Sequence, residues 1–283
     1  MEFGRINVDQ LSAINFSLPS DPQHTVAILK QSGAIGKSEI FIGCSRWGHK
    51  TWVGKIYPPL TKDKEFLQEY VKHFNAVESK STFYQTATYE QVTEWEAKTR
   101  SYPSFKFYPL MPQSITHIRR LKNADHITAT HLASLTAFGK KLGPSLLQLG
   151  QNFSPRSFKE LQAYLMALPQ NFRLFIEMRH KDWFTDKAFK EVLELLSAHN
   201  IGLAITDTPG RRDAVHMNLT VPHAYVRFSA SGDDHIDRHR LKEWSHKIKN
   251  WEAAGMQSIG FFISHNEPRY EPELSLYLKE CLK

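Results

Sequence analysis

Eight short apolar segments, each followed by a stretch with helical spacing, are the feature that most restricts how this chain can fold. Their length and nearly continuous apolar content favour parallel strands that are covered by helices on the outside. In a chain of 283 residues, this alternation predicts an α/β protein, specifically a single TIM (β/α)8 barrel. The predicted strands are residues 40–43, 76–79, 105–108, 145–149, 174–177, 202–206, 224–228 and 258–263.

A doubly wound open sheet is the alternative architecture. It is disfavoured because the segment Gly43–Gly48 after the first strand lacks the GxGxxG pattern of a dinucleotide-binding loop. The connection 208–221 is expected to be irregular or to hold only a very short helix, because it contains Pro209 and Gly210 and few apolar repeats. Helices are predicted at 63–73, 89–99, 128–141, 155–167, 186–199, 237–254 and 271–282.

The chain divides into two parts that differ in the periodicity of their apolar residues. Residues 1–38 show no clear periodicity and include turn-forming residues, so we interpret them as an N-terminal extension that packs on the main domain. Residues 39–283 form the predicted barrel domain. No internal repeat beyond the βα alternation and no linker suggests a further domain.

The net charge and the positions of the cysteines restrict which partners and which cellular location we expect for the protein. Lysine and arginine exceed aspartate and glutamate by 36 − 29 = 7, which favours anionic partners such as phosphorylated metabolites or nucleic acid, although a solubilising surface charge explains it equally well. Cys44 and Cys281 lack the spacing of a CxxC or zinc motif. No secretory leader and no membrane-spanning stretch are recognisable. We therefore expect a cytoplasmic protein without a membrane partner.

Polar residues are concentrated where the predicted strands end, which is the face that carries active sites in barrel enzymes. Side chains alternate along a strand, so Glu177 and Arg179 should point the same way, and so should Glu78 and Lys80. Two carboxylates and two cations would then meet in one pocket. The other polar residues at or after strand ends include Gln148, His117, His180, Asp207, Arg227 and His265.

Several roles are consistent with these residues. Glu177 or Glu78 could serve as general base, with His117, His180 or His265 moving protons near neutral pH. Substrate binding is assigned to Arg179, Arg227, Lys80, Gln148, Asp207 and His265. The alternative is that the charged residues only neutralise one another at the barrel mouth. No cofactor is predicted. Magnesium or manganese on Glu78, Glu177 and Asp207 is a weaker alternative.

The residues at the strand ends resemble those of the YecE-like family, also called domain of unknown function 72. The resemblance implies a TIM-barrel fold and a site at the strand ends, and it implies no activity. The matching segments cover most of residues 40–265 in family order, and they include Ile42–Trp47, Phe74–Glu78, Ser81–Tyr84, Ile115–His117, Leu142–Pro144, Leu147–Leu149, Glu177–His180, Trp183 and Tyr225–Phe228.

Two positions depart from the family pattern. The family usually has asparagine where this chain has Lys80, and it usually has lysine where this chain has Leu110. Our hypothesis is that Lys80 returns the missing ammonium group to the same pocket from a neighbouring strand. If its amine instead points to solvent, the change would indicate that this member has lost the family's ancestral activity.

Three functions follow as hypotheses. The first is an enzyme of hydrolase or isomerase type that acts on a small anionic or sugar-like substrate at the strand ends. The second is a nucleic-acid-binding or processing protein, suggested by the net charge and by the pairs Arg119–Arg120 and Arg211–Arg212. The third is a non-catalytic, ligand-binding barrel.

Overall fold

A computed structural model describes residues 3–33 and 36–283. Strands and helices alternate along most of it. The strands are β1 Glu39–Cys44, β2 Ala76–Ser79, β3 Lys106–Pro109, β4 Ser145–Gln148, β5 Leu174–Glu177, β6 Gly202–Leu203, β7 Ile205–Asp207, β8 His223–Ser229 and β9 Ser258–Ser264. The helices are α1 Gln23–Gln31, α2 Phe66–Tyr70, α3 Ser81–Tyr84, α4 Tyr89–Lys98, α5 Asp125–Leu135, α6 Phe158–Met166, α7 Asp186–Ala198, α8 Asp234–Ala254 and α9 Glu271–Leu282.

The strands pair in parallel within three sheets. One sheet has the order β1-β9-β8-β7, a second consists of β2 and β3, and the third has the order β4-β5-β6. Each pairing is in simple register, as in the alignment of Gln148 with Glu177 and of Thr206 with Arg227. The carboxyl ends of neighbouring strands therefore lie together, which places the residues at these ends side by side.

Specific contacts link one sheet to the next. Asn75 spans β1 and β2, because its amide donates to the Ile40 carbonyl and its Oδ1 accepts from the Ile42 N–H, at 2.8 and 2.9 Å. An isolated parallel bridge between Leu110 and Leu146 connects the chain after β3 to β4. The three sheets are thus neighbours of one another along their edges.

The sequence predicted the strands well except at 202–206. That segment is two short strands, because the Ala204 N–H donates to the Ile176 carbonyl of β5 while Ile205–Asp207 pair with β8. Closure of all strands into one barrel stays a prediction, since the pairing gives three separate sheets. The connection 208–221 contains only one short 3₁₀ turn, Arg212–Ala214, as expected.

One apolar cluster joins side chains from all three sheets. Its buried members include Phe41, Ala76, Tyr108, Leu110, Leu146, Phe175, Ala204, Tyr225 and Phe262. The helices pack on the opposite faces of the strands, and α7 does so with Val192, Leu195 and Leu196 buried. In α8, the long helix near the end of the chain, Leu241, Trp244 and Ile248 belong to a separate buried cluster with Phe228 and Phe261. No helix of the described ranges is long and apolar enough to cross a membrane.

The residues before β1 hold a helix that the sequence did not reveal. In α1, the buried Thr25 hydroxyl donates to the Met217 carbonyl and accepts from the Leu219 N–H, at 2.8 and 2.9 Å. Nearer the start, the Gly4 carbonyl accepts the Gly210 N–H at 2.8 Å. The segment ahead of β1 therefore covers the irregular connection between β7 and β8.

Candidate functional site

The polar residues at the strand ends form a layer directly above the shared apolar cluster. Because side chains alternate along a strand, the residue two positions after each inward apolar residue also points inward. Phe175 is followed in this way by Glu177, and Tyr225 by Arg227. The same step leads from Ala76 to Glu78, from Leu146 to Gln148, from Ala204 to Thr206 and from Phe262 to Ser264.

Arg227 occupies the centre of this layer. Its Nε and Nη2 donate to the two carboxylate oxygens of Glu78 at 2.8 and 3.0 Å, which is a bidentate ion pair. Its Nη1 donates to Glu177 Oε2 and to Gln148 Oε1, both at 2.8 Å. The Tyr225 hydroxyl also donates to Glu78, at 3.0 Å. Arg227 thus forms ion pairs with two buried carboxylates at once.

Glu177 is fully buried and receives three hydrogen bonds. In addition to Arg227, Arg179 Nε donates to Oε2 at 2.9 Å and the Thr206 hydroxyl donates to Oε1 at 2.6 Å. Burial raises the pKa of this carboxyl, but the charges of Arg179 and Arg227 outweigh it and lower the pKa to about 2. A carboxylate held in this way binds a proton weakly at neutral pH, which disfavours the predicted role of Glu177 as general base.

Arg179 and Gln148 are oriented by the same network. Gln148 Oε1 accepts from Arg179 Nη2 at 2.9 Å as well as from Arg227, so its amide NH₂ group is directed away from both arginines. Arg179 Nη1 makes no hydrogen bond with any residue in 3–33 or 36–283. Both side chains line a cavity, and both carry donors that have no acceptor in the part of the chain that the structure describes.

Lys80 follows β2 by one residue and also lines the cavity. Within the described ranges, its amine makes no hydrogen bond and no ion pair closer than 4 Å. Burial lowers the pKa of this amine, and the nearby charge of Arg227 lowers it further. The position agrees with the hypothesis that Lys80 places an ammonium group in the pocket, while the buried Leu110 lines the same cavity.

The cavity has a volume of about 170 Å³. None of its lining residues comes from the connection 208–221, so that segment does not fill it. Phe3 covers part of the mouth, with its ring centroid 4.9 Å from Arg179 Cζ and 5.0 Å from Arg211 Cζ. The lining residues are Phe3, Ser45, Glu78, Lys80, Phe83, Tyr84, Leu110, Gln148, Glu177, Arg179, Thr206, Arg227, Ser229, Phe262 and Ser264.

The three predicted histidines lie outside this lining. The ring of His117 packs edge-on against Phe83, with centroids 5.2 Å apart, and its Nδ1 is 2.8 Å from the Thr116 hydroxyl. His180 caps the turn after β5 by accepting the Asp182 N–H. His265 accepts the Glu267 N–H at 2.8 Å and borders a neighbouring depression. Of these, His117 lies behind a residue of the cavity wall.

Asp207 belongs to a different network. Its carboxylate pairs with Arg240 at 2.7 Å, with Arg212, and with the Trp244 indole N–H at 2.7 Å. Alternation explains this, since Thr206 points inward and Asp207 therefore points to the helices. The assignment of Asp207 to substrate binding was wrong in its geometry.

The predicted metal ligands Glu78, Glu177 and Asp207 do not converge, and residues 3–33 and 36–283 contain no group of three potential metal-binding side chains.

The two arginine pairs are largely occupied by protein acceptors. Arg120 donates to the Asn152 carbonyl at 3.0 Å, and Arg119 to the Asn123 carbonyl at 3.2 Å. Arg211 forms a two-fold ion pair with Asp213. Of these contacts, only the ion pair of Arg211 with Asp213 offsets positive charge on which the nucleic-acid hypothesis depends, because the carbonyl acceptors of Arg119 and Arg120 are neutral.

Sequence reasoning missed Glu271, which lies at the first position of α9. A glutamate in the first turn of a helix is common on exposed surfaces because it favours the positive end of the helix dipole. Here the side chain is fully buried beside Ser45, a residue of the cavity wall. Only the packing of α9 against β1 reveals this, so the sequence carried no signal for it.

The family model for "Protein of unknown function DUF72" matches residues 41–283. The chain belongs to the DUF72 family. It is 28% identical over 263 residues to the UPF0759 protein YecE of Escherichia coli K12, an alignment that covers 86% of this chain and 93% of YecE. This confirms the resemblance found in the sequence.

Solved DUF72 structures share the fold. The DUF72 protein of Enterococcus faecalis V583 superposes with a TM-score of 0.68 at 17% identity, covering 87% of this chain and 98% of that one. The DUF72 protein of Thermotoga maritima MSB8 gives a TM-score of 0.65 at 19% identity, covering 86% and 99%. The family's description assigns no activity, so function must be inferred from the cavity itself.

Proposed function

We propose that the cavity binds a small molecule that carries an oxyanion, such as a carboxylate or phosphate group. The observation that carries this proposal is the set of unused cations: the Lys80 amine and Arg179 Nη1 line the cavity and make no hydrogen bond within the described ranges. Glu78, Glu177, Arg179 and Arg227 balance one another in charge, so Lys80 leaves the lining with one net positive charge. An oxyanion would supply the missing acceptor.

The size of the cavity limits the ligand. About 170 Å³ exceeds the ~10–15 Å³ that one water needs and is smaller than the ~300–1,000 Å³ of pockets for drug-sized ligands. Serine hydroxyls and the Gln148 amide surround the cations, and such groups bind hydroxyls well. A small anionic or sugar-like metabolite fits both the volume of the cavity and the polar groups that line it.

The proposed activity is that of a hydrolase or isomerase, with the arginine-held carboxylates orienting the substrate rather than taking its protons. The pKa of Glu177, about 2, supports an orienting role, because a carboxylate with such a pKa binds a proton weakly at neutral pH. A turnover screen with sugar phosphates and small hydroxy acids separates an enzyme from a non-catalytic, ligand-binding protein. Conversion that Lys80→Met abolishes would support the enzyme. Binding without conversion of any compound would favour the ligand-binding alternative.

The architecture that we propose for this site is a closed (β/α)8 barrel, residues 39–283, with residues 1–38 as an extension packed on it. The apolar cluster drawn from all three sheets supports closure, because such a cluster is what the inside of a barrel contains. The close approach of β1 and β2 supports it as well, since a Cβ on Gly43 would lie 1.9 Å from the Ala76 carbonyl oxygen. A crystal structure with continuous strand pairing around the barrel would test it.

Calorimetric titration with sulfate, acetate and a neutral polyol tests the binding proposal. We expect the anions to bind and Lys80→Met to weaken that binding at least ~10-fold, equivalent to about 1.4 kcal/mol. Lys187→Met is the matched control, because it removes one positive charge from an exposed position on α7. Equal binding of polyol and anions, unaffected by Lys80→Met, would refute the proposal.

A further inference from the structure

Glu271 is a buried carboxyl group that the residues of the cavity wall do not neutralise. It lies at the start of α9 and is 0% exposed. A charged carboxylate in such a position needs strong hydrogen bonds or a close cation. Its contacts are weaker than those of Glu78 and Glu177, the two buried glutamates that line the cavity.

The hydrogen bonds to Glu271 are few and long. Oε1 accepts from the Ser45 hydroxyl at 3.5 Å and from the His265 N–H at 3.3 Å. Oε2 has no hydrogen-bond partner within the described ranges, although Arg46 Nε lies 3.3 Å from it. Arg46 is 38% exposed, so solvent screens its charge.

Ser45 connects this carboxyl group to the cavity. Its side chain lines the cavity and also donates to Glu271. Lys80, another residue of the lining, carries a charge that acts on Glu271 as well. A charge that enters the cavity beside Lys80 and Ser45 therefore also acts on Glu271.

The other groups that face Glu271 differ from it in how they titrate. Burial raises the pKa of Glu271 to about 7, against the lowering effect of Arg46 and Lys80. Burial also raises the pKa of the Cys44 thiol, which keeps that group neutral. The pKa of His265 is lowered by burial. Arg46 is always charged and Ser275 never is, so Glu271 is the group that changes charge near neutrality.

We propose that the cavity takes up its anion together with a proton, and that Glu271 is the positioning residue that holds this proton. The inference rests on the anion-binding function proposed above. A negative charge beside Lys80 opposes ionisation of the neighbouring carboxyl group, so a bound anion favours the protonated form of Glu271. By linkage, the anion must then bind more weakly as pH rises.

Proton uptake can be measured directly. Sulfate binding is followed by calorimetry near pH 7 in several buffers that differ in ionisation enthalpy, since the buffer supplies any proton that is taken up. Sulfate keeps the same charge across the neutral range. If the anion raises the pKa of Glu271 by one unit, about half a proton accompanies each sulfate, and the affinity falls about tenfold across the full transition.

Glu271→Gln should bind sulfate with no proton uptake and with an affinity that does not vary around pH 7. The control is Glu273→Gln, on the same helix but exposed and paired with Arg238, which should behave like the wild type. Proton uptake that persists in Glu271→Gln would overturn the proposal. If sulfate binds none of these proteins, the anion-binding function itself has failed.

The wild-type protein provides a second measurement that does not depend on folding of the variant. Proton uptake as a function of pH should be largest near pH 7 and small near pH 5 and pH 9. A maximum on the acid side of neutrality would assign the proton to a histidine, such as His265 or His117, whose pKa burial lowers. A maximum on the alkaline side would assign it to Lys80, whose pKa burial lowers from 10.5. Either result would overturn the role of Glu271.

Discussion

Two buried networks of acidic residues and arginine lie on opposite sides of the strand ends, and they differ in what they leave unused. Around Asp207, the Arg240 guanidinium donates to Asp207, to Asp237 and to the Ser229 carbonyl. The Arg240 Cζ atom lies 4.1 Å from the centroid of the Phe228 ring. The charged residues of this enclosed network do not line the cavity. Arg240 Nε has no hydrogen-bond partner within residues 3–33 and 36–283, but it does not line the cavity.

Around Arg227, by contrast, the donors without a hydrogen bond in the same ranges, Arg179 Nη1 and the Lys80 amine, belong to residues that line the cavity. The comparison shows that buried ion pairs alone do not mark a binding site. We propose that unused donors beside a cavity mark it. The first prediction concerns the enclosed network around Asp207.

Replacement of Arg240 should produce the largest loss of stability. Arg240→Met leaves Asp207 and Asp237 buried without their main cation, and we expect a loss of about 3–5 kcal/mol in the free energy of unfolding. Urea denaturation measures it. The control Arg238→Met, on the same helix, breaks a partly exposed pair and should cost less than ~1 kcal/mol. Similar losses in both variants would remove the distinction between the networks.

The lowered pKa of Glu177 predicts an effect on the free energy of unfolding that is intermediate in size and depends on pH. Its pKa is lowered from 4.5 to about 2 in the folded protein, so its contribution is present above about pH 4.5 and is lost as pH falls toward 2. The shift corresponds to about 3 kcal/mol. Unfolding free energies measured from pH 6 to pH 2 should decline less steeply in Glu177→Gln. An unchanged slope would contradict the assigned pKa.

Lys80→Met should have the smallest effect on stability, even though it weakens anion binding. The amine has no hydrogen bond to lose within the described ranges, and burial lowers its pKa, so its charged form costs free energy in the folded state. We expect stability to change by less than ~1 kcal/mol, in the direction of an increase. A loss above ~2 kcal/mol in thermal or urea unfolding would show that Lys80 serves the fold.

The period of two along each strand made part of the site predictable. Glu78, Gln148, Glu177 and Arg227 follow inward apolar residues by two positions, and all of them line the cavity. The same rule, applied strictly, would have excluded Asp207 and selected Thr206, which hydrogen-bonds to Glu177.

Residues beyond the strands could not be predicted in this way. His180 and His265 lie on turns, where no periodicity fixes the direction of a side chain, and both hydrogen-bond to local backbone groups instead of entering the cavity. Glu271 lies on a helix, and its burial depends on how α9 packs. The alternation of strands and helices likewise did not reveal that the segment 202–206 changes its partner strand from β5 to β8 at Ala204.

The position of Phe3 has a consequence for how ligand preference can diverge among relatives. This residue forms part of the cavity wall yet lies outside the region 41–283 that the family shares. Two relatives with identical strand-end residues can therefore present differently shaped entrances. Substitutions in the segment that contains Phe3 would then change which molecules can enter the cavity, while the charged residues at the strand ends stay the same.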